Sequence, residues 1–249
     1  MIYKGLRCID FINDLVVVIF MKFDPHIHSI YSGDARSRPA DIIKQSIKIG
    51  LDAIAISDHN AVEGSKIAIE IAKKMDNFLV IPSIEISSSY GHILGLGVET
   101  IIPKYLSPEE TIEKVHEEGG IVIIPHPFSL YREGLFSKDK RTLKNLDNSE
   151  DSSIEGVEVM NARYIFGYSN YKSKKLANEY NLAKIGSSDS HFLGSIGNCY
   201  TEIEDIDSEA TIDDVIEAIR QNKTVAKGTR TSLSLIAKEV FNKKIRRIY

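Results

Sequence analysis

The chain has 249 residues, 43% of them hydrophobic and 27% charged, which is the balance of an ordinary globular protein with a sizeable core. Its formal net charge of −4 excludes a protein-wide positive field that would attract nucleic acid, although a local basic patch stays possible. The two cysteines, Cys8 and Cys199, are far apart in sequence. They indicate neither a disulfide framework nor a zinc-thiolate site, and they favour a reduced, cytoplasmic protein.

The first apolar run of the chain is "LVVVIF" at residues 15–20. It is much shorter than the roughly 18 residues that a membrane span requires, and it lacks the small-residue cleavage site of a signal peptide. We therefore expect no membrane segment. Residues 1–20 form an extra N-terminal segment, which is either a start-site artefact or an added edge strand, because "MKFDPHIH" from Met21 reads as a natural beginning of the domain.

Over residues 21–228, predicted strands alternate with predicted helices. In chain order the segments up to the middle of the chain are "KFDPHIH" (strand), "PADIIKQSIKIG" (helix), "LDAIAIS" (strand), "EGSKIAIEIAKKM" (helix), "FLVIPSIEIS" and "HILGLGV" (both extended) and "SPEETIEKVHEEGG" (helix). The first helix has Pro at its start and Gly at its end, and the last one has a Ser cap followed by acidic residues.

The second half of the domain continues the alternation. It contains "IVIIP" (strand), a polar insertion over residues 137–153, "GVEVM" (strand), "SNYKSKKLANEYN" (helix), "LAKIGSS" (strand), "TIDDVIEAIRQN" (helix) and "KTVAKG" (strand). Such alternation predicts an α/β fold with parallel strands, and about seven units predict a barrel. The charged tail over residues 229–249 is predicted to be a helix with a basic, solvated face.

Six of the seven histidines lie at the end of a predicted strand or at the start of the next one, and four carboxylates accompany them. The histidines are His26, His28, His59, His92, His126 and His191, and the carboxylates are Asp34, Asp58, Glu85 and Asp189. The C-terminal ends of parallel barrel strands meet at one mouth, so these side chains are expected to converge. The seventh histidine, His116, lies inside a helix among glutamates and is predicted to be solvated or stabilised by the helix dipole, not a ligand.

This donor set predicts a metal centre. Imidazoles and carboxylates without thiolates suit catalytic Zn²⁺, Mn²⁺ or Fe²⁺. The candidate side chains are more numerous than the ligands that one ion binds. We therefore expect two or three divalent ions bridged by a carboxylate such as Glu85. Arg132 and Arg163 follow strands whose ends face the mouth and are candidate phosphate ligands. The adjoining Tyr131 and Tyr164 either stack on a substrate or pack in the fold.

The segments "HIHSIYSGD", "AISDHN", "IEIS", "HILGLGV", "PHP" and "SDSH", in this order, resemble the polymerase-and-histidinol-phosphatase (PHP) family of metal-dependent phosphoesterases. The resemblance covers residues 22–228 and implies a distorted (β/α)7 barrel with a trinuclear centre at the strand ends. The three ion sites that it implies comprise His26, His28, Glu85 and Asp189, then Glu85, His92 and His126, and finally Asp34, His59 and His191. It also implies that Asp58 orients one of the ligand histidines.

One departure from the family pattern concerns Asp34. The usual first motif of the family is HxHSxxSDG, whereas this chain has "SGD", so Gly33 stands in the place of the acid and Asp34 comes one residue later. The resemblance therefore fixes Asp34 less firmly than the other ligands. A loop with an extra glycine can still present Asp34 to the third ion; the other possibilities are that this ion is weakly held or replaced by water.

The expected reaction is hydrolysis of a phosphate ester by hydroxide bound to a di- or trinuclear centre. The expected substrate is a small phosphorylated metabolite, a nucleotide or a short oligonucleotide. We expect no polymerase domain fused to the phosphoesterase domain. The chain has no GxxxxGK[ST] loop, which argues against nucleotide-triphosphate motor chemistry. Two alternatives stay open. One is an amidohydrolase-type metal hydrolase, which would need a bridging lysine on a middle strand. The other is a non-catalytic metal-binding regulatory protein.

Overall fold

A computed structural model describes the chain over residues 6–11, 14–129, 133–136, 154–164, 167–206 and 209–236. The predicted insertion over residues 137–153 lies outside these described residues, as do Tyr131, Arg132 and the part of the predicted tail beyond residue 236. The beginning of that tail contains a helical turn at residues 233–236.

Eleven strands and five α-helices are the main regular elements of the described residues, besides two 3-10 turns (Ile30–Ser32 and Leu193–Ser195) and the helical turn at residues 233–236. The strands are β1 (Leu6–Phe11), β2 (Asp14–Ile27), β3 (Ala53–Ile56), β4 (Leu79–Ile81), β5 (Ser83–Ser87), β6 (His92–Leu96), β7 (Ile121–Ile124), β8 (Gly156–Asn161), β9 (Ala183–Ser187), β10 (Cys199–Glu204) and β11 (Thr224–Gly228). The helices are α1 (Pro39–Ile49), α2 (Glu63–Ala72), α3 (Pro108–Glu117), α4 (Tyr168–Tyr180) and α5 (Ile212–Arg220).

The strands form two mixed sheets. The first has the order β11-β10-β2-β3-β4, with β1 paired antiparallel to β2, and the second has the order β5-β6-β7-β8-β9. The expectation of parallel strands throughout is wrong for β6, which is antiparallel to both of its neighbours, and for β10, which is antiparallel to β2 and β11. Strands β5 and β6 are joined by a tight turn in which Ser88 N–H donates to Gly91 O at 3.0 Å, and so short a connection permits only a hairpin.

The two sheets approach each other at isolated bridges. Ile27 pairs with Ser190 at one seam, and His59 pairs with Glu85 at the other. Near the first seam Gly186 lies against the backbone of Tyr200, so closely that a Cβ atom would overlap the Tyr200 carbonyl. The described strands do not form one closed hydrogen-bonded ring. The α/β class is therefore confirmed, whereas closure into a (β/α)7 barrel stays a prediction.

Apolar side chains from both sheets fill the interior between them. Phe23 and Ile81 from the first sheet pack in one cluster with Leu94, Ile123 and Ile185 from the second. Each fully buried side chain of this size contributes about 1.5–3 kcal/mol relative to an exposed one. Helix α5 adds its apolar face to the same cluster.

Local sequence signals account for the ends of the helices. Pro39 opens α1, and Gly50 ends it in the left-handed conformation with φ of 81°. Ser107 and Glu110 form a reciprocal capping box at the start of α3. All five helices coincide with helices predicted from the sequence. Among the described residues, no helix is long and apolar enough to cross a membrane.

Candidate metal centre

The end of strand β2 brings two imidazoles onto one face. His26 and His28 are 0% and 1% exposed, and their Nε2 atoms lie 3.0 Å apart. Residues two apart on a strand point to the same side, as the sequence predicted. The backbone N–H of His28 donates to Ser190 O at 2.8 Å, so the end of β2 is attached to the segment that follows β9.

The antiparallel strand β6 explains how His92 reaches the same place. His92 opens β6 and pairs with Ser87, the last residue of β5. Because β6 runs against β5, its beginning lies at the same edge as the end of β5. His92 Nδ1 consequently lies 3.0 Å from Glu85 Oε1.

His126 and Asp189 follow β7 and β9 in an unusual backbone conformation. Their φ angles are 27° and 49°, in the left-handed region that side chains other than glycine rarely adopt. Such a residue costs on the order of 1–3 kcal/mol and persists where the surrounding contacts hold it, most often at functional sites. The N–H of His126 donates to Glu158 Oε2 at 2.7 Å, which is one of those contacts.

Glu85 lies at the centre of the cluster, and both of its oxygens face imidazole nitrogens. Oε2 lies 2.9 Å from His59 Nδ1, 3.3 Å from His28 Nε2 and 3.4 Å from His26 Nε2. Oε1 lies 3.0 Å from His92 Nδ1 and 3.1 Å from His126 Nε2.

The imidazoles keep Glu85 ionised. Burial alone would raise the pKa of this fully buried carboxyl group, but His92, His59 and His26 together hold the pKa well below its usual range. The effect is reciprocal for His59. Burial would lower the pKa of its imidazole, whereas Glu85 and Asp34 raise it to about 9.

Asp34 joins a second part of the cluster despite its shifted place in the sequence. Gly33 adopts a left-handed φ of 77° with open space beside it, and the chain then presents Asp34 inward. Asp34 Oδ2 lies 2.8 Å from His191 Nε2 and 4.0 Å from His59 Nε2. Burial would raise the pKa of Asp34, but His191, His28 and His59 lower it.

We expect Asp34→Asn to weaken one ion selectively, because Asp34 groups with His28, His59 and His191 and with neither Glu85 nor His92. Loss of its charge should lower the affinity for the weakest-bound ion about tenfold, in the range for a change that perturbs ligand orientation. Metal stoichiometry by elemental analysis at increasing free Mn²⁺ measures this. Equal loss of every ion would contradict the grouping.

The geometry of these side chains fits divalent metal ions. Four groups have ligand atoms that all lie within 4.8 Å of one another: His28, Asp34, His59 and His191; His26, His28 and Glu85; His26, His126 and Asp189; and His59, Glu85 and His92. Glu85 Oε2, His59 Nδ1 and His92 Nδ1 are buried without a well-formed hydrogen bond to any described residue. An unsatisfied buried polar atom costs about 1–3 kcal/mol, and coordination of a shared cation would offset that cost.

The structure therefore brings together all nine residues that the sequence proposed as ligands. His116 lies apart on α3, where its Nε2 is 3.3 Å from Glu155 Oε1. Tyr164 is 5% exposed and its hydroxyl accepts the Phe128 N–H at 3.3 Å, which is a packing role. Arg132 and Tyr131 lie outside the described residues.

Asp58 has a different partner from the histidine that we expected. One of its oxygens accepts the backbone N–H of Ser29 and the other accepts the Ser29 hydroxyl, both at 2.6 Å. Burial raises the pKa of Asp58 to about 6, although the hydrogen bonds from Ser29 act to lower it. Since Ser29 follows His28 and Asp58 precedes His59, the pair ties the ends of β2 and β3 together.

Arg163 lies beside the second part of the cluster. Its Nη1 atom is 2.7 Å from His191 Nδ1 and 3.5 Å from Asp189 Oδ1, and its side chain is 18% exposed. The guanidinium group is thus at the boundary between the candidate ligands and solvent.

Sequence reasoning missed two supporting residues. Ser32 Oγ lies 3.1 Å from His28 Nδ1 and donates to Asp34 Oδ1 at 3.0 Å. Glu158, in the middle of β8, lies 2.7 Å from His26 Nδ1 through its Oε1 atom. A usable signal was present for Glu158. "GVEVM" is a short apolar strand interrupted by one carboxylate, and a charge on a strand buried on both faces must be paired.

Comparison with known proteins places the chain in a family. The family model described as PHP-associated matches residues 167–224. An uncharacterized protein of Methanocaldococcus jannaschii is 39% identical over 160 residues, which are 60% of this chain and 87% of the relative. A two-domain protein of Bacteroides vulgatus containing a predicted PHP-like metal-dependent phosphoesterase superposes with a TM-score of 0.70 at 18% identity, covering 98% of this chain and 74% of that one.

The chain belongs to the PHP family. The fold of this PHP protein is also similar to that of an amidohydrolase from Chromobacterium violaceum, with a TM-score of 0.57 at 15% identity, covering 82% of this chain and 97% of that one. At such identities the likeness concerns the fold alone. The activity of this PHP protein depends on its own side chains.

Proposed function

We propose that this PHP protein hydrolyses phosphate esters with two or three divalent ions, Mn²⁺, Zn²⁺ or Fe²⁺, held at the cluster around Glu85. The observation that carries the proposal is the position of Glu85, whose two oxygens face two different sets of imidazoles at 2.9–3.4 Å. A carboxylate in this position suits a bridge between two cations. Family membership supports the general kind of reaction.

The proposed ligand sets follow the motifs. One ion takes His26, His28, Glu85 and Asp189, a second takes Glu85, His92 and His126, and a third takes Asp34, His59 and His191. The close spacing of the ligand atoms supports the first set for His26, His28 and Glu85, and the third set for Asp34, His59 and His191. Support for the second set comes from Glu85 Oε1, which faces both His92 and His126, although His126 also groups with His26 and Asp189. We also propose that the two sheets together form a distorted (β/α)7 barrel. The isolated bridges at both seams support this proposal.

The chain itself supplies no nucleophile in this mechanism. Divalent ions at such a centre activate a water molecule and neutralise charge on the phosphoryl oxygens. The Ser32 hydroxyl lies 3.1 Å from His28 Nδ1, but it is already engaged in hydrogen bonds. Its Oγ donates to Asp34 Oδ1, accepts the backbone N–H of His59 and also contacts His28 Nδ1.

Arg163 is the proposed phosphate-binding residue within the described part of the chain. Its guanidinium group adjoins His191 and Asp189 and retains access to solvent. Guanidinium groups bind phosphate oxygens in a bidentate manner, so Arg163 can orient the substrate over the centre. Arg132 is proposed for the same role from its place in the sequence. The proposed substrates are a small phosphorylated metabolite, a nucleotide or a short oligonucleotide.

The decisive experiment combines metal removal with a substrate panel. Thorough chelation is expected to reduce phosphoester turnover by at least about 100-fold, and Mn²⁺ or Zn²⁺ to restore it, because the centre depends on its ions. The phosphoesters in the panel are bis-(p-nitrophenyl) phosphate, histidinol phosphate, nucleoside 3′,5′-bisphosphates and 5′-phosphorylated oligonucleotides. Amides and lactones are added as substrates of the alternative reaction.

Two outcomes would overturn the proposal. Full turnover after complete removal of metal would exclude the metal mechanism. Turnover of amides or lactones, with none of any phosphoester, would instead favour the amidohydrolase alternative. The His116→Ala variant serves as the control, since His116 lies apart from the cluster and its loss should leave both metal content and turnover at the parent level.

A further inference from the structure

Glu158 is a buried carboxylate that is not a member of any of the four ligand groups. It lies in β8 between Val157 and Val159, both of them buried, and it is 0% exposed. A charge in such a position requires partners for all of its hydrogen-bonding capacity, since leaving a buried charge unpaired is costly.

Each oxygen of Glu158 has two partners. Oε1 lies 2.7 Å from His26 Nδ1 and accepts the Ser187 hydroxyl at 2.6 Å. Oε2 accepts the His126 N–H at 2.7 Å and the Asn161 side-chain amide at 2.8 Å. An ionised carboxylate has about four acceptor positions, and here all of them are filled. Glu158 is therefore saturated and is not itself available to a metal ion.

These bonds connect Glu158 to three of the proposed ligands. It contacts the outer nitrogen of His26, whose inner Nε2 lies 3.4 Å from Glu85 Oε2. It holds the backbone of His126 at a positive φ of 27°. It also shares the amide of Asn161 with Asp189 Oδ2, at 3.2 Å.

We propose that Glu158 is a positioning residue for the metal centre. It keeps the proton of His26 on Nδ1, so that the Nε2 lone pair is directed at the cation, and it fixes the strained backbone from which His126 projects. A carboxylate that accepts the outer N–H of a ligand histidine sets both the tautomer and the orientation of the ring. This inference rests on the proposed function, because it assigns a role at the same centre.

Glu158→Gln tests the proposal with little change of shape. The amide keeps one acceptor oxygen but turns an NH₂ group toward two of the four donors. With the NH₂ group toward His26, the imidazole must accept at Nδ1 and carry its proton on Nε2, which removes the lone pair from the centre. The affinity for Zn²⁺, measured by chelator competition on folded protein, is expected to fall about 10–100-fold.

A second readout separates positioning from general stability. Nitrogen-15 NMR of the imidazole rings in protein saturated with Zn²⁺ should show His26 protonated on Nδ1 and metal-bound at Nε2 in the parent, and should show the loss of this pattern in Glu158→Gln. The matched control is Glu202→Gln, which alters another buried glutamate, located on β10 and 3.5 Å from Lys227 Nζ. The control should keep the parental Zn²⁺ affinity and the parental ring signals.

A milder variant keeps the proposal testable if Glu158→Gln does not fold. Ser187→Ala removes one of the four bonds to Glu158 and leaves its charge in place, and it should weaken Zn²⁺ binding severalfold. Parental Zn²⁺ affinity together with an unchanged His26 tautomer in either folded variant would overturn the role of Glu158. The proposed function would then still stand, whereas a parent protein that binds no metal would end both proposals.

Discussion

Glu85→Gln should eliminate both metal binding and phosphoester turnover, with a loss in kcat/KM on the order of 10³-fold or more. The amide preserves the shape of the side chain but removes the charge that faces five imidazoles. Its NH₂ group would also be turned toward nitrogen lone pairs on one side of the cluster. A 10³-fold loss corresponds to about 4 kcal/mol of transition-state stabilisation.

The measurement for Glu85→Gln is metal content by elemental analysis together with steady-state kinetics on bis-(p-nitrophenyl) phosphate. His116→Ala, prepared and loaded in parallel, controls for the loss of a polar side chain outside the cluster. Parental metal content in Glu85→Gln would show that Glu85 is not a bridging ligand. An equal loss in His116→Ala would show that the histidines have been sorted wrongly.

Gly64→Ala is expected to lower the free energy of unfolding by about 3 kcal/mol, at the upper end of the usual cost of overpacking. A Cβ atom at Gly64 would overlap Asp58 Oδ2 and Ser29 Oγ and would lie 3.2 Å from Ile56 Cγ2. The substitution therefore separates the hydrogen-bonded pair that ties the ends of β2 and β3 together. Metal affinity should also fall about tenfold, because His28 and His59 adjoin that pair.

Urea unfolding of the metal-free protein and Zn²⁺ competition measure the two effects of Gly64→Ala. The matched control is Gly167→Ala at the start of α4, where a Cβ atom would meet nothing within 4 Å and φ is negative. The free energy of unfolding of that variant should differ from that of the parent by no more than about 0.5 kcal/mol, as is usual for surface substitutions. If Gly64→Ala were equally harmless, the Ser29–Asp58 pair would not be rigid.

Much of the fold and of the site was predictable because the relevant signals are local. Pro39 and Gly50 mark the ends of α1, and the spacing of His26 and His28 places both rings on one face of a strand. The convergence of distant ligands followed from one geometric rule, that strand ends meet at one edge. His92 satisfied the rule for a different reason from the expected one, since it begins an antiparallel strand.

The unpredicted parts depend on contacts between residues distant in sequence. Strand β10 was not predicted, and its burial lacks a clean period of two, because "CYTEIE" buries Glu202 as well as Cys199, Thr201 and Ile203. The partner of Asp58 depends on the path of the chain after β2, which no periodicity encodes. The sequence shows that Glu158 is a charge inside a strand, but not that His26 lies 132 residues away at the same point in space.

The proposed ligands are distributed over both sheets, and this affects the lifetime of the folded chain. His26 belongs to β2 of one sheet and His28 directly follows that strand, whereas Glu85 and His92 belong to β5 and β6 of the other sheet. An ion bound as proposed cross-links the sheets non-covalently, and they cannot part until it dissociates. Resistance to proteolysis would then depend on the supply of free divalent metal, since a ligand that binds only the native state shifts the balance away from opened forms.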